Sequence, residues 1–215
     1  MTEAELRVEI CRVGRSLFER GLAHGTAGNI SARLPGGRGL LITPTDACLG
    51  TLEPEALSRI DAHGRQVVGA PASKTLALHR RIYGLDAAAG CVLHTHSTHL
   101  VALSLSGVWR PDAVLPPITP YFVMKVGRVP LIPYLRPGDP IVAEAIALAH
   151  AAAPMRAVLC ERLGPFAWHA TPAAAMALLE EMEETARLWL MCQPRPAPLD
   201  ETQIDELRHT FGARW

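Results

Sequence analysis

The chain predicts an α/β sandwich, a single mixed or antiparallel sheet with helices on its faces. Three observations carry that prediction. Short apolar or alternating runs bounded by glycines read as strands. Longer segments between them carry apolar residues at helical spacing. The two kinds alternate irregularly, and no internal repeat or low-complexity linker interrupts residues 1–192.

Residues 3–20 open as an amphipathic helix, with Leu6, Ile10, Val13 and Leu17 on one face and Gly21 closing it. "NISARL" alternates as a strand, and "GLLITPTD" is a second strand running into a loop. The glycines of "PGGRG" between them predict a hairpin connection. "ALSRIDAHGRQVVGA" reads as another hairpin, turning at His63-Gly64. Ser73 is expected to cap a helix reaching about Tyr83, and "AGCVLHTH" reads as a buried strand. Ser97 is expected to cap the next helix. A proline-rich loop follows, whose apolar residues 114–123 are expected to lie exposed and to suit an interface. Residues 139–151 form an alanine-rich helix, "RAVLCERLGPFAWH" two short strands around Gly164, and "TPAAAMALLEEMEETARLWLMC" a long helix with Pro172 in its first turn. The core domain is expected to span 1–192. Residues 193–215 read as a tail with a short, solvated helix.

At 215 residues the chain can bury a core without disulfide staples. Its composition is 49% hydrophobic and 20% charged, which is globular material. A formal net charge of zero argues against bulk attraction to nucleic acid. The five cysteines are scattered and form no CxxC pair, which reads as reduced thiols in a cytoplasmic protein. No window approaches the roughly 18 apolar residues of a membrane span.

The chemistry concentrates in "CVLHTHSTHL", residues 91–100. On a strand, residues two apart share a face, so His94 and His96 would project together as two ligands of one ion. The helix start that follows disfavours imidazolium and keeps the rings neutral. Two histidines do not complete a zinc site, and spacing alone also fits two satisfied histidines at a strand end. Three further pieces could meet an anion: "GTAGN" with the Asn29 amide, "TPTD" with its hydroxyls, and "ASK" opening a helix. Asp46 opposes an anion there unless it faces away or pairs with a cation such as Lys74.

Together, "GLAHGTAGNISAR", "LITPT", "ASKTLALH", "CVLHTHSTHLVALS" and "AVLCERLGPFAW" resemble the class II aldolase/adducin family over roughly residues 3–190. The stretch "LPPITPYFVMKVGRVPLIPYLRPGD" is most similar to its subgroup of 3-oxo-tetronate 4-phosphate decarboxylases. The resemblance implies an αβα sandwich with a mixed, mostly antiparallel central sheet, and a homotetramer with active sites between subunits. It implies a divalent metal, usually zinc, held by three histidines and acting as a Lewis acid, and a small phosphorylated sugar-acid substrate. His94 and His96 match the first two metal histidines. Asn29, Thr45 and Ser73 match phosphate contacts. Lys74 could add a charge contact to phosphate or carboxylate, and Tyr121 matches a tyrosine reaching the site from a neighbouring subunit. Lys125 is a candidate carboxylate partner.

Two positions depart from the family pattern. Thr75 stands where an acid/base glutamate is expected, and Leu163 where the third metal histidine is expected. His99, Cys160 and Glu161 are the nearby candidates to fill the ligand set. The reaction the resemblance implies is decarboxylation of a β-keto acid, which needs an electron sink, a metal or a cation such as Lys74, but no carbon-bound proton removed first. Thr75 is therefore less damaging to it than to an aldolase, while Leu163 is damaging to both unless the metal is held differently or not needed. A sugar-phosphate aldolase and a catalytically degenerate binding or scaffold protein are the alternatives.

Overall fold

The computed structural model describes residues 1–215. One eight-stranded sheet forms the centre. Its strands are β1 (Asn29–Arg33), β2 (Leu40–Ile42), β3 (Ser58–Ile60), β4 (Gln66–Val68), β5 (Cys91–His94), β6 (Leu131–Ile132), β7 (Ala157–Cys160) and β8 (Gly164–His169). They lie in the order β4-β3-β2-β1-β5-β8-β7-β6. Every neighbouring pair is antiparallel except β6 and β7. The mixed, mostly antiparallel sheet expected from the sequence is therefore present, and so are both hairpins.

Strand alternation divides the core into two layers. Ile30 and Ala32 of β1, Cys91 and Leu93 of β5, and Ala167 of β8 face one side. There they meet α1 (Glu3–Glu19), α3 (Thr98–Ser106) and α6 (Pro172–Met191). Val92, Phe166 and Trp168 face the other side, against α2 (Leu76–Leu85) and α5 (Ile141–Ala152). Trp168 and Phe166 are almost wholly buried there. Burying such a side chain contributes roughly 1.5–3 kcal/mol. This is the αβα sandwich.

Four local expectations are corrected. Ser73 does not cap α2: the helix starts at Leu76 with Thr75 as its N-cap, because the Ser73 hydroxyl is turned to Thr75 and the chain makes a turn first. Ser97 precedes α3, but its hydroxyl bonds Thr95 Oγ1 at 2.5 Å and the Leu22 carbonyl at 3.2 Å. The Glu183 carboxylate caps that helix instead, accepting from the amides of His99 at 2.8 Å and Leu100 at 3.0 Å. The loop at 114–123 is not an exposed apolar strip: Val114, Leu115, Phe122 and Val123 are buried. The Val114 amide bonds the Val129 carbonyl, and Pro120–Lys125 form a short helix, α4, capped by Thr119. Nor is the tail helix α7 (Glu201–Phe211) merely solvated. Ile204 is buried, α7 packs on α4, and Trp215 lies 5.7 Å from the Phe122 ring.

Candidate active site

β1 and β8 begin, and β2 and β5 end, at one end of the sheet. His94 is the last residue of β5 and sits on the α2 face with Val92. It is almost wholly buried. Its Nδ1 lies 2.8 Å from the Pro165 carbonyl oxygen. A carbonyl can only accept, so Nδ1 carries the proton and Nε2 keeps its lone pair. Phe166 stacks on the ring, with centroids 4.1 Å apart. Burial, then the neighbouring His96, push the His94 pKa down to about 3, against the opposing pull of the Pro165 bond.

β5 stops at His94, so His96 is not a strand residue as expected. The two rings nevertheless meet, with centroids 5.0 Å apart. Two glycines make that possible. Gly28 has φ +94 and Gly164 φ +126, a region that L side chains rarely adopt. A Cβ on Gly28 would lie 2.8 Å from the His94 carbonyl, and one on Gly164 would lie 2.2 Å from the Thr95 carbonyl. The "GTAGN" loop and the β7–β8 turn are thus laid flush on the backbone between the two histidines. Burial, then His24, lower the His96 pKa. His24 is an exposed imidazole whose ring centroid is 6.3 Å from that of His96. Sequence reasoning passed over it; its only signal was its place in the stretch leading into "GTAGN".

The anion-type pieces also converge. The Ser73 amide bonds the Thr43 carbonyl, the Thr45 amide bonds the Pro71 carbonyl, and Pro44 bridges Ala72. Thr45 and Ser73 are thereby stitched side by side. Thr43 in turn accepts from the Ile30 amide through its hydroxyl, which places this loop beside Asn29. Asn29 pairs across β1–β5 with His94. Lys74 stands at the solvent side, 3.8 Å from Asp46, so the awkward acid is matched by the cation.

Some expected residues are not drawn in. Tyr121 is exposed on α4, which packs on α6 and α7 rather than on the histidines of its own chain. Lys125 lines a separate cavity of about 270 Å³ with Arg156 and Arg214. The candidates to replace the third histidine are committed elsewhere. His99 Nδ1 lies 2.9 Å from Glu183, and Glu161 accepts from the Tyr134 amide. Cys160 is packed in the core, and burial holds its thiol up at about 12. Leu163 packs against the α2/α5 layer.

His94 and His96 fit a divalent ion as a pair. The backbone bond to His94 Nδ1 is the arrangement that orients a ligating imidazole. Their ring centroids, 5.0 Å apart, are close enough for both imidazoles to reach one ion at Zn–N distances of about 2.0–2.1 Å. The chain gathers no group of three His, Cys, Asp or Glu around them.

A twisted sandwich with paired imidazoles and an anion-type loop at one sheet end defines a class of small-molecule enzyme fold. This chain belongs to the family described as Class II Aldolase and Adducin N-terminal domain, which its residues 8–190 match. It is 55% identical to the 3-oxo-tetronate 4-phosphate decarboxylase of Cupriavidus necator, over 100% of this chain and 99% of that protein. The enzyme of the same name from Escherichia coli K12 is 42% identical, over 96% of each chain. Among solved structures, YgbL from Escherichia coli superposes with a TM-score of 0.89 at 40% identity, covering 96% of this chain and 99% of that one.

Proposed function

We propose that this protein is a carbon–carbon lyase that decarboxylates a 3-oxo-tetronate 4-phosphate to a ketose phosphate. The supporting observation is full-length similarity, at 55% identity, to a decarboxylase of that name, together with the convergence of Asn29, Thr45, Ser73 and His94 at one sheet end.

The substrate is a β-keto acid. Breaking C1–C2 releases CO₂, and the bonding electron pair moves into an enolate across C2 and C3. A proton delivered to C2 completes the ketose phosphate. In this reading Asn29, Thr45 and Ser73 donate to the phosphate, and Lys74 adds a positive charge at the mouth. The phosphate holds the β-keto end toward the histidines, so that binding energy far from the reacting bond orients it. His94 and His96 would hold the divalent metal, zinc in the family's usual form, which when bound polarises the C3 oxygen as a Lewis acid. The stacked Phe166 and the closed Pro165 edge exclude water from one side of His94.

Thr75 favours this reaction over an aldol cleavage. Its hydroxyl lies 2.9 Å from Ser73 Oγ and offers no carboxylate base. Decarboxylation requires none for its first step. Tyr121, exposed at the start of α4, is available to a neighbouring copy, and we place the complete site between subunits of a homo-oligomer.

His94→Ala tests the reading. It should abolish turnover and lower metal content, measured by CO₂ release and by elemental analysis of protein purified without chelator. Unchanged turnover would remove His94 from the mechanism.

A further inference from the structure

α2 lays His79 and Tyr83 across the start of β1. The two are four residues apart on the helix, a rise of about 6 Å. Asn29 and Ser31 are two apart on the strand, a rise of about 6.6 Å. The spacings match, so the pairs meet side by side. The Tyr83 hydroxyl is 2.9 Å from Ser31 Oγ, Ser31 Oγ is 2.7 Å from His79 Nδ1, and His79 Nε2 is 2.6 Å from Asn29 Oδ1.

We propose that His79 is a positioning residue. Through the relay Tyr83–Ser31–His79–Asn29 it fixes the Asn29 amide with its NH₂ end free, so that this corner of the site takes an acceptor-only group such as a phosphate oxygen. The inference rests on the reading of Asn29 as a substrate contact.

The direction of the relay follows from its ends. Ser31 Oγ is the sole side-chain hydrogen-bond partner of the buried Tyr83 hydroxyl, whose proton therefore goes there. Ser31 then gives its own proton to His79 Nδ1. A neutral imidazole so engaged carries its proton on Nε2, which donates to Asn29 Oδ1. The reverse direction would strand the Tyr83 proton in the core and turn the Asn29 carbonyl toward the ligand, where it would repel a phosphate oxygen. Asn29 Nδ2 makes no hydrogen bond within the chain. It is not sealed either, since Arg59 Nε is the only buried side-chain polar atom left without a partner. One end of the amide is held and the other faces outward.

The alternative role is structural: four polar groups satisfying one another beneath α2. Nitrogen-detected NMR of His79, substrate kinetics, and calorimetry with inorganic phosphate separate the two. The proposal expects the Nε2–H tautomer in the wild-type protein. Tyr83→Phe keeps the ring packing but removes the proton that sets the direction. It should give a mixed tautomer, with KM and the phosphate dissociation constant raised about three- to tenfold, as for the loss of one hydrogen bond, and kcat changed less. His79→Leu should weaken phosphate at least as much, and His79→Gln, which retains an N–H, should recover part of it. A proton found on Nδ1 in the wild type overturns the relay. So does phosphate binding unchanged in a folded Tyr83→Phe protein. If Asn29→Ala binds phosphate like the wild type, the substrate role of Asn29 fails instead, and the tautomer measurement tells the two failures apart.

Discussion

The imidazole of His94 donates through Nδ1 to the carbonyl oxygen of Pro165, at 2.8 Å across the β5–β8 pair. This one bond decides which nitrogen faces the site. It comes from a strand neighbour, not from a carboxylate, so the ring is oriented without a negative charge beside it. The same carbonyl also lies 3.4 Å from the Thr95 amide, which ties the peptide after His94 to the start of β8.

The β7–β8 turn that carries Leu163 lies against the same peptide, since Gly164 abuts Thr95. An imidazole introduced at 163 is therefore within the neighbourhood of His94 and His96. Leu163→His is expected to raise zinc affinity by at least tenfold, the scale associated with a metal-site partner. Competition with a chelating dye measures it, and an unchanged affinity would mean that position 163 is turned away.

Gly164 itself tolerates no side chain. Gly164→Ala combines a φ of +126 with a Cβ 2.2 Å from the Thr95 oxygen. The backbone strain alone is worth on the order of 1–3 kcal/mol. Urea denaturation should show at least that loss, with His96 displaced and turnover reduced. A stability equal to the wild type would contradict the close approach.

Glu183 holds the other flank of the histidine segment. Its carboxylate is buried on α6 and accepts from two amides at the start of α3 and from His99 Nδ1. Removing it leaves helix-end N–H groups without partners. Glu183→Ala should cost about 1–3 kcal/mol in chemical denaturation. Amide exchange should quicken at His99 and Leu100 more than in α5. Uniform exchange across both helices would argue against the cap.

Acid should destabilise the metal-free protein through His79. Burial, then the nearby His94, push its pKa down to about 3 from the ordinary 6.5. Between those values the unfolded chain binds a proton that the folded imidazole does not. Stability is therefore fully present above pH 6.5 and is lost progressively as pH falls toward 3. By about pH 5 the loss from this one group is about 2 kcal/mol. Urea midpoints at about pH 7.5 and about pH 5 bracket the loss, and His79→Gln should shrink the difference without abolishing it, because the buried His94, whose pKa is also pushed down to about 3, loses stability over the same range.

Where the chain spoke through local pattern, its structure was legible. β1 showed its alternation, β5 its apolar run after Gly90, and α1 its apolar stripe at Leu6, Ile10, Val13 and Leu17. His94 and His96 were visible as a pair because they are two residues apart. What was hidden depends on distant partners. The α3 cap comes from Glu183, more than eighty residues away in sequence, while Ser97 carried the local signal and spends its hydroxyl on Leu22. α4 is only six residues long inside a proline-rich run, too short to display a period. His79 carries no signal of its own within the helix read up to about Tyr83. Only the packing of α2 on β1 shows that it meets Asn29.

The reaction itself is the most direct test of the decarboxylase reading. Purified protein, supplied with divalent metal, should release one CO₂ for each ketose phosphate formed from a 3-oxo-tetronate 4-phosphate. The same compound without its phosphate should react far more slowly, because Asn29, Thr45 and Ser73 would have nothing to hold. Absence of CO₂ release, or cleavage to aldehyde fragments in its place, would contradict the decarboxylase reading.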